Sequence, residues 1–75
     1  MIFPDAVDEH LGVIVEIKNR AKLSLTSQIR NYVQYGREQN MQLVLVVRHN
    51  THFSAPLETA IASNNIQVLR LKGLP

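Results

Sequence analysis

The stretch "LGVIVEIKN", Leu11 to Asn19, decides how the rest of the chain is read. Its run of β-branched residues marks a β-strand. Side chains alternate along a strand, so Leu11, Val13, Val15 and Ile17 share one face while Gly12, Ile14, Glu16 and Lys18 share the other. The first face is wholly apolar and is expected to be the core face. The second is apolar at its start and charged at its end, which puts an acid and a base at the strand's C-terminal tip. Charged side chains are seldom buried unless paired or bound to a metal. A same-face salt bridge is the plainest account of Glu16 and Lys18. A functional account needs a second acid.

Upstream, "FPD" offers that acid. Asp8 to His10 reads as a charged turn, so the short segment from Met1 to Ala6 and the long strand are expected to form an antiparallel hairpin. Asp5 precedes Glu16 by eleven residues, just enough for the hairpin to return it beside the strand end. Downstream, "NRAKLSLTSQIRNYVQYGREQN" looks helical. Ser24 or Thr26 is a good N-cap; Leu25, Ile29, Tyr32, Val33 and Gly36 form one stripe, and the helix is expected to end near Gln39–Asn40. "MQLVLVV", Met41 to Val47, is a near-continuous apolar run, as in a strand covered on both faces. "RHNTHF" reads as a loop. Ser54 then caps a second helix with Pro56 in its first turn, running to about Ser63. After the "NN" turn, "IQVLRL" alternates as a final strand. The order β-β-α-β-α-β, with a helix joining two apolar strands by a right-handed parallel crossover, predicts a mixed sheet flanked by helices in the α/β class.

The whole chain sets limits on this picture. Its 75 residues make one small domain, and at this size a core supplies only about 3–5 kcal/mol, so a partner, a metal or a second copy is a natural support. No cysteine is present, which removes disulfides and thiolate metal sites. No apolar run approaches the roughly 18–20 residues that span a bilayer, and no stretch reads as a signal peptide. A net charge of +2 and a pI near 9.4 hint only mildly at polyanions. Placement is more telling. Lys18, Arg20 and Lys22 cluster after the strand, and with Arg30 they form a candidate backbone-phosphate patch. Arg48, His49 and His52 recur in the later loop.

Two carboxylates and a lysine at one sheet edge suit a divalent cation with hard oxygen ligands. Such an ion lowers the pKa of bound water and stabilises charge on a phosphate, and the lysine adds a cation beside the scissile group. Pro4-Asp5 followed by Glu16-Ile17-Lys18 resembles the P-D…(D/E)-x-K signature of restriction-endonuclease-like nucleases, whose fold is a mixed sheet with helices on both sides. "QIRNY" places Gln28 and Tyr32 four apart on one helix face, similar to the Q-x-x-x-Y element of some branches, which borders the active site and contacts DNA. The longer pattern "EIKN…LSLTSQIRNYVQY…LVLVVRHNTHFSAPL" resembles the restriction-endonuclease-fold toxin domains of bacterial polymorphic toxins, from Pro4 to about Leu71.

That resemblance implies catalytic roles for Asp5, Glu16, Lys18 and Gln28. Magnesium, with manganese as a substitute, would be held by Asp5, Glu16 and the Ile17 carbonyl. It further implies nucleic acid as substrate (DNA ahead of RNA), a cognate immunity protein, and delivery from the producing cell into a target-cell cytoplasm. Asn19, Arg20, Lys22, Tyr32 and Arg48 are the expected nucleic-acid contacts. Related nucleases carry a helix before the Asp hairpin, and Met1 stands only four residues before Asp5, so a form lacking that helix is expected.

Other readings stay open at this point. Asp8 and Glu9 are turn residues, with Asp8 the alternative metal ligand. His49 and His52 would be the acid and base of a metal-independent ribonuclease. A non-catalytic module binding nucleic acid or an immunity protein, and a housekeeping repair or junction-resolving nuclease, are the competing functions. An exposed sheet edge would permit a homo-oligomer.

Overall fold

The computed structural model describes residues 4–73. Its elements are β1 (Ala6–Asp8), β2 (Val13–Lys18), β3 (Lys22–Leu23), α1 (Ser27–Gln39), β4 (Gln42–Arg48), β5 (His52–Phe53), α2 (Ala55–Ser63) and β6 (Gln67–Leu71). A four-stranded sheet runs β1-β2-β4-β6. β1 pairs antiparallel with β2, whereas β2, β4 and β6 are parallel. The expected mixed α/β sheet and its order are therefore present, joined by a two-stranded sheet of β3 and β5.

Local chemistry explains the boundaries. β2 begins at Val13 rather than Leu11, because Gly12 takes a φ of +71°, where an L side chain is strained. The turn before it closes through Asp8, whose carboxylate accepts the Leu11 amide at 2.9 Å and whose carbonyl accepts the Gly12 amide at 2.9 Å. The expected first strand falls partly on Met1–Phe3, outside the described residues; β1 itself extends to Asp8. Thr26 caps α1 by accepting the Ile29 amide at 3.2 Å, so the stretch before it is free to form β3 instead of helix. α1 ends at Asn40, in the left-handed region at φ 56°. Gly36 allows the turn that follows: a Cβ there would stand 2.6 Å from the Met41 carbonyl oxygen. Ser54 caps α2 as expected. The "RHNTHF" segment is not simply a loop, since His52–Phe53 pair with Lys22–Leu23.

The expected core face of β2 is overturned. Ile14 and Glu16 are buried, while Ile17 is 47% exposed and Val13 and Val15 are only half-buried. The cause is topological. β2, β4 and β6 step the same way across the sheet, so two right-handed crossovers place both helices over one face. Ile29 and Tyr32 of α1 and Leu57 of α2 accordingly share one core with Ile14, Leu43, Leu45 and Val47. In register, Glu16 lies beside Leu45 and Lys18 beside Val47, on that covered side. β4 is thus covered by helices on one face, not two. On the other face, Leu69 and Leu71 remain 43% and 46% exposed, as Ile17 does two strands away.

Candidate active site

The hairpin brings Asp5 to the end of β2. Its backbone amide donates to Glu16 Oε1 at 3.1 Å, and its Oδ2 accepts the Ile17 amide at 2.6 Å. Asp5 lies one residue beyond the last β1–β2 pair, where the ladder would otherwise continue, so its side chain takes over an amide that the strand end leaves unpaired. Glu16 Oε2 meets Lys18 Nζ at 2.8 Å, with the two side chains 5% and 20% exposed respectively. Lys18 Nζ also donates to Gln28 Oε1 at 2.5 Å, and Gln28 Nε2 donates to the Tyr32 hydroxyl at 3.2 Å. A continuous polar chain therefore runs from the Asp5 amide through Glu16, Lys18 and Gln28 to Tyr32. It lies at the carboxyl ends of parallel strands, where open α/β sheets place ligands.

Tyr32 is 4% exposed. Burial pushes its phenol above the ordinary value of 10.0; the Glu16 charge adds to that, the Gln28 hydrogen bond opposes it, and the Asp5 charge raises it further. Tyr32 thus lies behind Gln28, its hydroxyl accepting a hydrogen bond from the amide nitrogen of that residue. Asn19 and Arg48 do meet at the same end of the sheet, Arg48 Nε donating to Asn19 Oδ1 at 2.5 Å. Arg20, Lys22 and Arg30 are exposed.

Several expected participants stand apart. Asp8 pairs with Val13, three residues down the strand from Glu16 and roughly 10 Å away at ~3.3 Å per residue, and its carboxylate serves the turn. Glu9 is exposed in that turn. His49 and His52 are exposed and are anchored through their backbone amides, to the Leu71 and Ala21 carbonyls. Sequence reasoning passed over Arg70 and Thr51. Arg70 Nη1 donates to the Thr51 carbonyl at 2.8 Å, with His49 and Arg48 carbonyls at 3.4 and 3.5 Å, and its guanidinium lies 4.5 Å over the Phe53 ring. Buried Thr51 donates its hydroxyl to the Arg20 carbonyl at 2.8 Å. Together they hold the segment that carries Arg48 against the one that carries Arg20. The only cue in the sequence was an arginine inside the alternating "IQVLRL".

The donor set fits a hard divalent cation. Asp5 and Glu16 supply two carboxylates with acceptor capacity beyond the bonds above. In a strand a residue's N–H and C=O point to the same side, so the Ile17 carbonyl faces the Asp5 side, as its amide does. Among the described residues no group of three or more His, Asp or Glu side chains gathers as a metal site. Magnesium is commonly held by one or two carboxylates and retains waters, so two suffice.

The profile of the restriction endonuclease fold toxin 7 family matches residues 2–57, which contain every member of this polar chain. The chain belongs to that family. Membership implies a nuclease toxin domain and agrees with the restriction-endonuclease-like sheet described above. No curated protein and no solved structure matches the chain. Among the described residues of this family member, no helix is long and apolar enough to cross a membrane.

Proposed function

We propose that this single domain is a divalent-metal-dependent endonuclease that hydrolyses phosphodiester bonds, DNA ahead of RNA. We further propose that it is the toxic end of an effector delivered into the cytoplasm of a rival bacterium and neutralised in its producer by an immunity protein. The observation that supports the reading is the meeting of Asp5, Glu16, Lys18 and Gln28 at one strand end. Family membership favours a toxin over a repair or junction-resolving enzyme.

Asp5, Glu16 and the Ile17 carbonyl would hold Mg²⁺, or Mn²⁺ in its place. Bound there, the ion supplies a lowered water pKa and neutralises phosphate charge. The protein's own groups do the rest. Lys18 presents an ammonium at the sheet edge, where it stabilises negative charge building on the phosphoryl oxygens. Glu16, largely shielded from water, orients that ammonium, and Gln28 holds it from the helix side. Asn19, Arg20, Lys22 and Arg48 are the groups available to track the phosphate backbone.

Digestion of plasmid DNA and of RNA by purified protein, with Mg²⁺ and with EDTA, tests the activity. Cleavage is expected with Mg²⁺ and none with EDTA, and Lys18→Ala should lower the rate by about 10²-fold or more. Undiminished cleavage by that variant would remove Lys18 from the chemistry. Expression in bacteria lacking the immunity protein should arrest growth, and Lys18→Ala should be tolerated; equal toxicity would place the harm elsewhere. One observation favours a second reading, a non-catalytic binding module: Lys18 already neutralises Glu16 without a metal. That module would melt at the same temperature with and without Mg²⁺.

A further inference from the structure

Lys18 Nζ has two acceptors of different kinds, the charged Glu16 Oε2 at 2.8 Å and the neutral Gln28 Oε1 at 2.5 Å. The first contact relies on the Glu16 charge. Any cation engaging the same carboxylate competes for that charge and also repels the ammonium. The second contact carries no such dependence. An ammonium has donors only, so the Gln28 amide must turn its oxygen to Lys18 and its NH₂ the other way. The group waiting there is the Tyr32 hydroxyl, 3.2 Å from Nε2.

What holds the amide is therefore anchored in the core. Tyr32 shares the core with Ile14, Ile29 and Leu45 and cannot shift without disturbing it. Residues four apart on a helix face one another, and the Thr26 cap fixes where that helix starts. At neutral pH the phenol is protonated, as any tyrosine is well below about 10, so it offers Lys18 no rival anion.

We propose that Tyr32 is a positioning residue: acting through the Gln28 amide, it holds the Lys18 ammonium at the end of β2 independently of Glu16, and it does not touch nucleic acid. The kinetic consequence rests on the nuclease reading; the structural one does not.

NMR of the side-chain ammonium groups, in protein made with nitrogen-labelled lysine, separates the two. The Lys18 signal, assigned by its loss in Lys18→Arg, is expected to be protected from solvent exchange both with and without Mg²⁺. Tyr32→Phe keeps the ring and removes only the hydroxyl; it should lose that protection with Mg²⁺ present, and lose it only in part without Mg²⁺, where Glu16 still holds the ammonium. Gln28→Leu should lose it equally, and adding Tyr32→Phe to Gln28→Leu should change nothing more, as for two members of one linkage. In cleavage assays Tyr32→Phe should lower kcat by about 10- to 100-fold, as for a misplaced catalytic group, with KM unchanged. An ammonium signal unaltered in Tyr32→Phe overturns the proposal. So does a raised KM with kcat intact, which would return Tyr32 to nucleic-acid contact. Should Tyr32→Phe fail to fold, retained protection in Gln28→Leu with Mg²⁺ present overturns it instead. If the wild type cuts nothing, the nuclease reading fails and the ammonium signal still decides the linkage.

Discussion

Ile14 and Ile17 are the same side chain three residues apart in one strand, yet Ile14 is wholly buried and Ile17 is 47% exposed. Around Ile14 stand Ile29, Tyr32 and Leu45, and the same covered face continues into Glu16 and Lys18. Ile17 shares its face with Val15, with Val46 on the next strand and with Leu69 beyond that, and among the described residues no helix covers them. The face that looks more hydrophobic is the less buried one. Coverage by the helices decides what is inside: Glu16 is buried under them and Lys18 stands at the rim of that cover.

The largest expected difference between the faces is in packing. Ile14→Ala should cost about 2–5 kcal/mol, whereas Ile17→Ala, half in water already, should cost less than about 1 kcal/mol. Urea melts of the two variants check this, and equal losses would mean that something covers the open face in solution.

The charged pair sharpens the contrast next. A salt bridge at an exposed strand end would be worth at most about 1 kcal/mol, but Glu16 is 5% exposed and its carboxylate would be left short of a partner by Lys18→Met. That variant should lose about 1–3 kcal/mol without metal, and Glu16→Gln should lose distinctly less, because it removes the buried charge. Thermal melts with and without Mg²⁺ test this together with the proposed metal. Mg²⁺ should restore much of the Lys18→Met loss and do nothing for Glu16→Gln. Equal destabilisation by both, with no metal effect on the wild type, would make the pair purely structural.

A smaller effect is expected at Gly36, on the covered side of α1. Alanine there gains about 1 kcal/mol of helix propensity, but its Cβ would meet the Met41 carbonyl oxygen at 2.6 Å. Relieving such a contact by moving backbone costs about 1–3 kcal/mol. The clash should win, and Gly36→Ala should be destabilised by on the order of 1 kcal/mol in the same melts.

The smallest effect is confined to alkaline solution. The buried Tyr32 phenol ionises above 10.0 in the folded protein. Its contribution is fully present below that pH. As pH rises past 10.0 the unfolded chain loses the proton while the folded one keeps it, so stability falls toward the raised folded value. Tyr32→Phe should flatten that part of the stability profile. An identical alkaline slope in the variant would place Tyr32 in contact with water.

Much of this was legible in the sequence because it depends on local rules. The β-branched run marked β2, the stripe from Leu25 to Gly36 marked α1, Ser54 marked one cap, and of Ser24 and Thr26 it is Thr26 that caps the other helix. The hairpin spacing brought Asp5 to Glu16, and four-residue spacing joined Gln28 to Tyr32. Gly12 displaced the start of β2 because its positive φ belongs to a turn that hydrophobicity does not reveal. β3 and β5 escaped notice because two-residue strands carry no periodicity; they exist only because the segments after β2 and β4 are brought side by side.

By itself, then, the sequence determined the order of the main-sheet strands and helices, the parallel crossovers and the set of polar side chains that gather at the C-terminal end of β2. Backbone preference, capping and chain connectivity act over a few residues and leave their marks in the order of the letters. Only the tertiary structure decided which face of β2 is covered, that Tyr32 sits behind Gln28, and that Arg70 and Thr51 hold the segment bearing Arg48. Those outcomes depend on two successive crossovers placing their helices on one side, and on contacts between residues far apart in the chain. Hydrophobicity read along a strand is blind to both, since an apolar side chain is buried only where another part of the fold arrives to exclude water from it.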